Sequence, residues 1–477
     1  MILQLGEWLP DWAKLSGLPG NELHTTVAKN VYPMVGGYGQ IPSFVTALSQ
    51  TALTTTVKGI DAFPGSGYVA GTDSDLYYAQ SQLGAWTIVT PAAFTVVAGG
   101  TSTRWEFVEW RGRVFGAIHE NNGIYEYTFA ATAFSLMTTS VQPNHIGIVN
   151  NFLVAGNLTD GAGYTKDRVR WSGIGTPASW TAGANQADFE DLNDGGAIQR
   201  IIGGDVGFIM QESAIRRMTY VGTPTIFAFD KVESAVGVLR PESVVQVGGL
   251  VYYLAADGFH VFDGVRSRSI SEGKIGRWLI SNSDRALQAD RASFTCEGIK
   301  SNHLPLIYWS YTSVNSVGGG SAHETVVVYN YVTDAWSWFE LDHHMLAPSL
   351  DVDFELYAIN HTNRSLQSAN RLDATDALSA FIETAYYAAA PGRKTTLKRA
   401  QVMVDGVQAT SVPNIAAFGV DRLDLGVTST FTYGIAQTSG WTRIRKTFRY
   451  IKLGIKQNAN FDLIYGVDVD HALRGKR

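Results

Sequence analysis

A strand–turn–strand unit that recurs through the middle of the chain constrains the fold more than any other feature of the sequence. Each copy has a run rich in Val, Ile, Tyr, Phe and Trp, a turn of Gly, Asn or Asp, a second apolar run, another turn and an aromatic-rich run. The clearest copy consists of Val244–Val247, Gly248-Gly249, Leu250–Leu254, Asp257-Gly258 and Phe259–Phe262. Period-two runs of this kind predict strands, and the Gly-Gly and Asp-Gly pairs predict tight hairpins.

The spacing of the copies indicates how the strands are arranged. Successive copies begin roughly 40–55 residues apart, which is typical of four-stranded propeller blades. Helical periodicity is scarce, so we predict an all-β chain with an irregular six-bladed β-propeller over residues 60–375. The sixth copy, within residues 306–338, is looser, and a weak seventh lies at 354–359. A pair of stacked β-sandwiches is the rival interpretation, because periodicity alone does not separate the two.

The two ends of the chain differ from this repeat. Residues 1–59 hold only short runs and turns, and we interpret them as an N-terminal platform segment. Residues 376–477 alternate over longer runs, which predicts a C-terminal antiparallel β-sandwich-like platform domain. In Tyr450–Lys456, for example, Lys452 and Lys456 share one face while the apolar residues share the other.

Charge is scarce and unevenly distributed. Asp, Glu, Lys and Arg make up 17% of the chain, against about 25% in typical domains. Residues 392–477 hold 14 basic and 6 acidic residues, which leaves 23 basic and 37 acidic residues in 1–391. A solvated strand face with a basic tail would explain the basic end, but a surface that docks onto an acidic partner or nucleic acid would do so as well. The sequence pI of about 5.9 argues against a chain coated with DNA.

The predicted docking residues all come from this basic end. They are Arg443, Arg445, Arg449, Lys452, Arg474, Lys476 and Arg477. Scarce charge elsewhere is compatible with a surface that neighbouring subunits cover.

No catalytic or cofactor motif stands out. Gly65–Gly71 superficially resembles a dinucleotide loop, but a further strand follows where a helix N-terminus would be needed. The single cysteine, Cys296, rules out an intramolecular disulfide framework and a Cys-based zinc site. We therefore predict a chain that is not an enzyme and that has no cofactor or metal.

Two groups of residues leave alternatives open. His343-His344 could ligate a metal, but neighbouring strand residues point to opposite faces and no third ligand is suitably spaced. The acidic stretch Asp188–Asp194 could bind Ca²⁺ through carboxylate oxygens, or it could be an exposed acidic loop. A propeller glycosidase would need paired carboxylates at its pore, and acidic residues occur in every unit without one pair standing out.

Two further observations concern location. No run approaches 18 uncharged apolar residues, so we predict no membrane span. The first residues lack a basic stretch followed by an apolar one, which predicts synthesis in a cytosol.

Several motifs in a fixed order carry a resemblance to a known family. They are Asn30–Pro33 with Gly36–Tyr38, Arg168–Trp180, Asp194–Gly196 with Ile215–Tyr220, Asp257–Gly264, and Arg449–Leu453 with Arg474-Gly475. Together they resemble the tail nozzle proteins of short-tailed bacteriophages, which are also called packaged-DNA stabilisation or tail tubular B-type proteins. Residues 310–375 match that pattern poorly.

The resemblance implies a structural virion protein. It implies a homo-hexameric ring below the portal and adaptor rings that retains packaged DNA and conducts it during ejection. Its partners would be the adaptor, tail fibre or tailspike and tail tip proteins, with double-stranded DNA passing without tight binding. It further implies assembly in the host bacterial cytoplasm, location in the virion tail, and a propeller whose platform is built from both chain ends.

The resemblance suggests roles for two features of the sequence, and two other functions stay open. The acidic residues 1–391 would include the channel wall, where like charge keeps DNA from sticking. Gly318, Gly319 and Gly320 are a candidate channel gate, the alternative being a flexible hairpin tip. A propeller lectin or receptor-binding protein and a propeller glycoside hydrolase are the remaining function classes.

Overall fold

Strands form nearly all the regular structure, as the alternating runs predict. The computed structural model describes residues 1–477 except 13–14, 16–21, 47–52, 54, 82–83, 93, 95–103, 119–122, 130, 284–294, 312–322, 351–353, 361–365, 371–377, 390–392, 407–412, 424–428, 435–438, 459 and 475–477. The first strands are β1 (Ile2–Trp8), β2 (Glu22–Lys29), β3 (Val31–Met34), β4 (Gly37–Gln40) and β5 (Phe44–Thr46).

The repeated region follows. Its strands are β6 (Val57–Phe63), β7 (Gly67–Thr72), β8 (Leu76–Ala79), β9 (Thr87–Ile88), β10 (Trp105–Trp110), β11 (Arg113–Ile118), β12 (Ile124–Thr128), β13 (Ser135–Thr138), β14 (Gln142–Val149), β15 (Phe152–Asp160), β16 (Gly163–Trp171), β17 (Asp188–Asp191), β18 (Ile198–Ile202), β19 (Gly207–Gln211), β20 (Ile215–Gly222) and β21 (Ile226–Glu233). Next come a 3₁₀ helix (Pro241–Ser243), β22 (Val245–Val247), β23 (Leu250–Ala255), β24 (Gly258–Phe262), β25 (Ser267–Ser269) and helix α1 (Gly276–Asn282).

The remaining elements are again strands. They are β26 (Cys296–Lys300), β27 (Leu306–Tyr311), β28 (His323–Asn330), β29 (Ala335–His343), β30 (Met345–Ala347), β31 (Phe354–Ile359), β32 (Leu366–Asn370), β33 (Ala380–Thr384), β34 (Thr395–Asp405), β35 (Asn414–Val420), β36 (Ser429–Gly434), β37 (Thr442–Phe448), β38 (Tyr450–Gln457) and β39 (Leu463–Leu473).

Five successive antiparallel sheets are the propeller blades. They are β6–β9, β10–β13, β14–β17, β18–β21 and β22–β25, each built from four consecutive strands. The hairpin between β14 and β15 shows the local cause: Asn150 takes a positive φ of 53° at the turn, and Ile148 pairs with Leu153 across it. The all-β class and the propeller arrangement are confirmed, but the prediction of six blades is wrong, because the described residues form five.

The strands expected to form a sixth blade belong to a larger sheet. Strands β26–β29 pair in order, but β29 continues through a parallel bridge between Lys29 and Trp338 into β2. They therefore belong to a 15-stranded sheet rather than to a free blade. The weak seventh copy becomes β31, within a sheet of β30–β32 that is completed by β5 from the N-terminal segment.

The 15-stranded sheet joins the two ends of the chain. Strand β1 lies between β2 and β39, and the path continues through β34 to β37. A second branch leaves β2 and runs through β33, β38 and β35 to β36. The ends of the two branches lie against each other, because β37 contacts β35 and β36, and β34 contacts β35. We call this two-branched region, without β26–β29, the platform sheet.

One hydrophobic core connects the platform sheet to the last blade. Phe259 of β24 stacks on Trp309 of β27 with ring centroids 4.3 Å apart, and Trp309 stacks on Trp336 of β29 at 5.8 Å. These rings share a buried cluster with Leu3 and Ile455 of the platform sheet. Propeller and platform are therefore packed as one body.

Glycines let the innermost strands approach one another around the propeller. A Cβ on Gly147 of β14 would lie 2.6 Å from Ile201 Cγ2 of β18. Gly59 of β6 meets the backbone of Trp105, and Gly298 of β26 meets Val245 of β22, at similarly short distances of 2.5 Å. Only glycine fits such contacts, so these positions set how tightly the ring closes.

Candidate functional site

The innermost strands surround one central cavity of about 540 Å³. Each of the five blades contributes a residue to its wall, as do β26 and β30. The volume is within the usual range for small-molecule sites, about 300–1,000 Å³. The cavity is therefore the first place to look for binding chemistry.

Glu106 of β10 is the centre of a buried network in this cavity. Its Oε2 accepts a hydrogen bond from the Ile146 backbone N–H at 3.1 Å and lies 3.2 Å from His145 Nδ1. Its Oε1 lies 2.8 Å from Arg200 Nη1. Burial alone would raise the pKa of Glu106, but Arg200, His145 and the backbone donor outweigh it and leave the pKa below its ordinary value.

A second ion pair crosses the cavity. Arg104 precedes β10, and both its Nε and Nη2 lie close to Glu297 Oε1, at 3.0 and 2.9 Å. Strand β10 contacts β6 and β14, whereas β26, which carries Glu297, contacts β22 and β30. The pair therefore connects walls that are not neighbours in the ring.

Two other carboxyls in the cavity have no such partner. Asp61 of β6 and Glu242 of the 3₁₀ helix line the wall, and neither forms an ion pair within the described residues. Burial raises the pKa of Asp61 to about 6 despite the nearby Arg200. Burial also raises the pKa of Glu242, against the opposing effect of Arg104.

The acidic stretch proposed for Ca²⁺ is engaged with basic side chains. Asp191 Oδ1 accepts a hydrogen bond from Arg168 Nε at 2.6 Å, and Asp194 pairs with Arg216 and with Lys231, the latter at 2.5 Å. No group of three or more His, Cys, Asp or Glu in the described part of the chain is placed to hold a metal ion.

The histidine pair is tied into the fold as well. His343 Nε2 lies 2.6 Å from Ser310 Oγ, and its Nδ1 lies 2.7 Å from the Leu341 carbonyl oxygen. His344 Nε2 lies 2.7 Å from the carbonyl oxygen of Val57. Each ring thus has a local hydrogen-bonding role.

The predicted docking residues separate into different environments. Arg443 and Arg445 are exposed on β37, and Arg474 is exposed after β39, where its Nε donates to Thr396 Oγ1 at 3.0 Å. Arg449 is half-buried, and Lys452 on β38 binds Glu383 at 2.5 Å.

The remaining predicted positions cannot be placed. Lys476 and Arg477 lie outside the described residues, as do the predicted gate residues Gly318, Gly319 and Gly320.

The structure adds basic residues to this surface that sequence reasoning missed. Strand β34 places Arg399 directly opposite Arg443 of β37, with Lys398 exposed beside it. We call Lys398, Arg399, Arg443, Arg445 and Lys446 the basic edge. Asp470 relieves part of the charge, since Arg399 Nε lies 3.1 Å from it. Like charges directly opposite each other destabilise a strand pair, so an acidic partner would stabilise this surface.

Comparison with known proteins shows no family. No family model matches the sequence, and no curated protein matches it either. Similar solved structures include a chain of a mitotic checkpoint complex, at 10% identity over 70% of this chain and 95% of that one, with a TM-score of 0.38. The WD40 domain of Neurospora crassa Pan2 is similar at 6% identity over 66% and 89%, with a TM-score of 0.40.

A third similar structure is considerably longer. It is the extracellular domain of a hybrid two-component system from B. thetaiotaomicron, with 9% identity and a TM-score of 0.42. The alignment covers 76% of this chain but only 43% of that one. Likenesses this weak carry no argument about this chain.

None of the described helices combines the length and the apolar character that crossing a membrane requires.

Proposed function

We propose that the chain is a non-enzymatic subunit of the tail nozzle of a short-tailed bacteriophage. In this proposal six copies form a ring in the virion tail, dock onto the adaptor, retain packaged DNA and conduct it during ejection. The ring channel lies between copies, and it is distinct from the 540 Å³ cavity inside each propeller.

One observation carries this proposal, namely the platform sheet that combines both chain ends. Strand β1 pairs antiparallel with β39, with Leu3 opposite Val467, and the Met1 amino group lies 3.2 Å from Asp468 Oδ1. The resemblance in sequence motifs implies such a platform, with the propeller attached to it. The core shared by platform and last blade supports a subunit in which a force applied at the docking surface reaches the propeller.

The basic edge supplies a docking surface for an acidic partner in this proposal. The side chains of Arg443 and Arg445 are exposed on β37, whose other side has no strand partner in the described sheet. Arg445 has a positive φ of 51°, and the register shifts there, so the edge is bulged. Bulges and charges discourage strand addition, which favours docking through side-chain charge.

Charge reversal of the basic edge tests this proposal. We expect Arg443→Glu with Arg445→Glu to abolish attachment of the purified protein to tail-less capsids that carry portal and adaptor rings, as seen by negative-stain microscopy. The matched control, Arg266→Glu with Arg268→Glu, reverses two exposed arginines at the outer side of the last blade and should attach normally. Normal attachment of the first variant, with unchanged thermal unfolding, would sink the docking proposal.

A ligand-binding propeller is the second candidate, and the polar central cavity favours it. Such a protein would be a monomer or small oligomer with soluble ligand binding and no affinity for capsids. The same micrographs separate the two, because a ring or cone at the portal vertex is expected only of a nozzle.

A further inference from the structure

The charges of the central cavity do not balance pair by pair. Arg200 is matched with Glu106 and Arg104 with Glu297. Lys58 is matched with Asp73, which lies 3.2 Å away. These pairs do not include two half-buried acids and two cations that also line the wall.

The two remaining acids are Asp61 and Glu242, and the remaining cations are poorly placed for them. Arg240 also lines the cavity, but it already interacts with other groups of the protein. Lys300 is exposed to solvent, whereas the two acids are half-buried. A carboxylate removed from water without a close cation is costly and is stabilised by any cation that reaches it.

Unused hydrogen-bond acceptors lie in the same wall. Glu297 is only 8% exposed, and while its Oε1 receives both nitrogens of Arg104, its Oε2 has no hydrogen-bond partner. Asn144 Oδ1 is buried without a partner as well. A buried acceptor left unpaired costs about 1–3 kcal/mol, so an occupant that donates hydrogen bonds is favoured.

We propose that this cavity binds a small organic cation that carries two ammonium groups, one held by Asp61 and the other by Glu242, with Glu297 Oε2 and Asn144 Oδ1 as further acceptors. The two carboxyls come from separate parts of the ring, β6 and the 3₁₀ helix before β22, so one ligand must reach both. A linear diamine is the simplest ligand of this kind, because it carries one ammonium group at each end. This binding does not depend on the proposed nozzle function.

Other ligand classes fit the wall less well. An anion would meet four carboxylates in the wall, where three of the five cations, Lys58, Arg104 and Arg200, are already paired. A neutral sugar would use the open acceptors but would leave Asp61 and Glu242 without a counter-charge. A metal ion lacks a suitable group of ligands among the described residues.

Calorimetric titration of the full chain with 1,4-diaminobutane at pH 7.5 tests the proposal. We expect saturable binding that is at least tenfold weaker when Asp61→Asn and Glu242→Gln are combined, and an intermediate loss for each single change. The control combines Asp205→Asn with Glu272→Gln, which removes two exposed acids outside the cavity and should leave the affinity unchanged. Equal loss in both double variants would show non-specific surface attraction and overturn the proposal.

The dependence on pH and ligand class provides the second arm. Asp61 faces Arg200 and Glu106, and Glu242 faces Arg104, Glu297 and His145. Because Asp61 takes up a proton near pH 6, affinity for the diamine should fall from pH 7.5 to pH 5.5. Unchanged affinity over that range, absence of saturable binding, or tighter binding of maltose or inorganic phosphate would each contradict a diamine site.

Discussion

Glu106 and Asp61 line the same cavity, yet their surroundings shift the pKa values of the two carboxyls in opposite directions. Glu106 has Arg200, His145 and a backbone donor within hydrogen-bonding range, so its ionised form is stabilised and its pKa is lowered. Asp61 is desolvated without a close cation, and its pKa rises to about 6. The first carboxylate supports the fold at neutral pH, whereas the second opposes it.

Removing the charge of Asp61 should therefore stabilise the protein. Its folded-state pKa of about 6 exceeds the unfolded value of about 3.9, so the folded state binds more protons between these values and stability falls as pH rises through that window. We expect Asp61→Asn to raise the free energy of unfolding by up to about 3 kcal/mol at pH 7.5 and by less than about 1 kcal/mol at pH 4. Urea unfolding at both pH values measures this, and a loss of stability at pH 7.5 would contradict it.

The cavity residues have a signature in the sequence. Asp61, Glu106 and Arg200 stand in the first strands of three blades, β6, β10 and β18, and Glu297 stands in β26. In a propeller the first strand of each unit is the innermost, so charges there face the axis. The sequence could point to an axial charged site, but it could not pair Arg104 with Glu297, which are 193 residues apart.

At the scale of single elements, the hairpins were predictable and the partners of whole strands were not. Tight turns such as Asn150-Asn151 are local, so their strands could be read from a few residues. The pairing of β5 with β32 joins segments roughly 300 residues apart and leaves no local pattern. The same holds for β29 and β2, which draw the expected sixth blade into the platform sheet.

The basic end shows the same limit. Its composition indicates a charged surface but not which charges are exposed. Arg443 and Arg445 are exposed on β37, a strand at the edge of the sheet, whereas Lys452 lies on the interior strand β38 and binds Glu383. The contribution of Arg399 follows from its register with Arg443, which composition does not contain.

Contacts between innermost strands give a prediction at this scale. Gly147→Ala would place a Cβ 2.6 Å from Ile201 Cγ2, and relieving that overlap should cost about 1–3 kcal/mol of stability. In Gly249→Ala, the added Cβ has no atom within 4 Å, so that variant should change the midpoint little. Chemical denaturation of the two variants compares them, and equal stability would show that Gly147 does not limit the approach of the blades.

Across the whole molecule, platform and propeller are joined through their core as well as through the chain. The aromatic stack of Phe259, Trp309 and Trp336 lies in the same buried cluster as the platform residues. Unfolding should therefore be cooperative between the two parts.

Deleting residues 1–8 tests that cooperativity. The deletion removes β1 from between β2 and β39, and with it the buried Leu3, Leu5 and Trp8. We expect loss of the single thermal transition and rapid proteolysis across platform and last blade together. Gln4→Thr, which changes an exposed position of the same strand, should behave as the parent chain. A truncated chain with one unchanged transition would show that β1 is dispensable.

The sheet of β30–β32 and β5 also sets an order of events during synthesis. Strand β5 is made long before β30–β32, the other described strands of that sheet. At about 5–20 residues per second, the roughly 300 intervening residues take on the order of 15–60 s to emerge from a ribosome. Throughout that interval β5 lacks β32, the strand with which it pairs in the folded protein. Chains that are synthesised side by side on one messenger RNA could exchange β5 with each other. The rate of synthesis and the crowding of the chains would then determine the yield of correctly closed propellers.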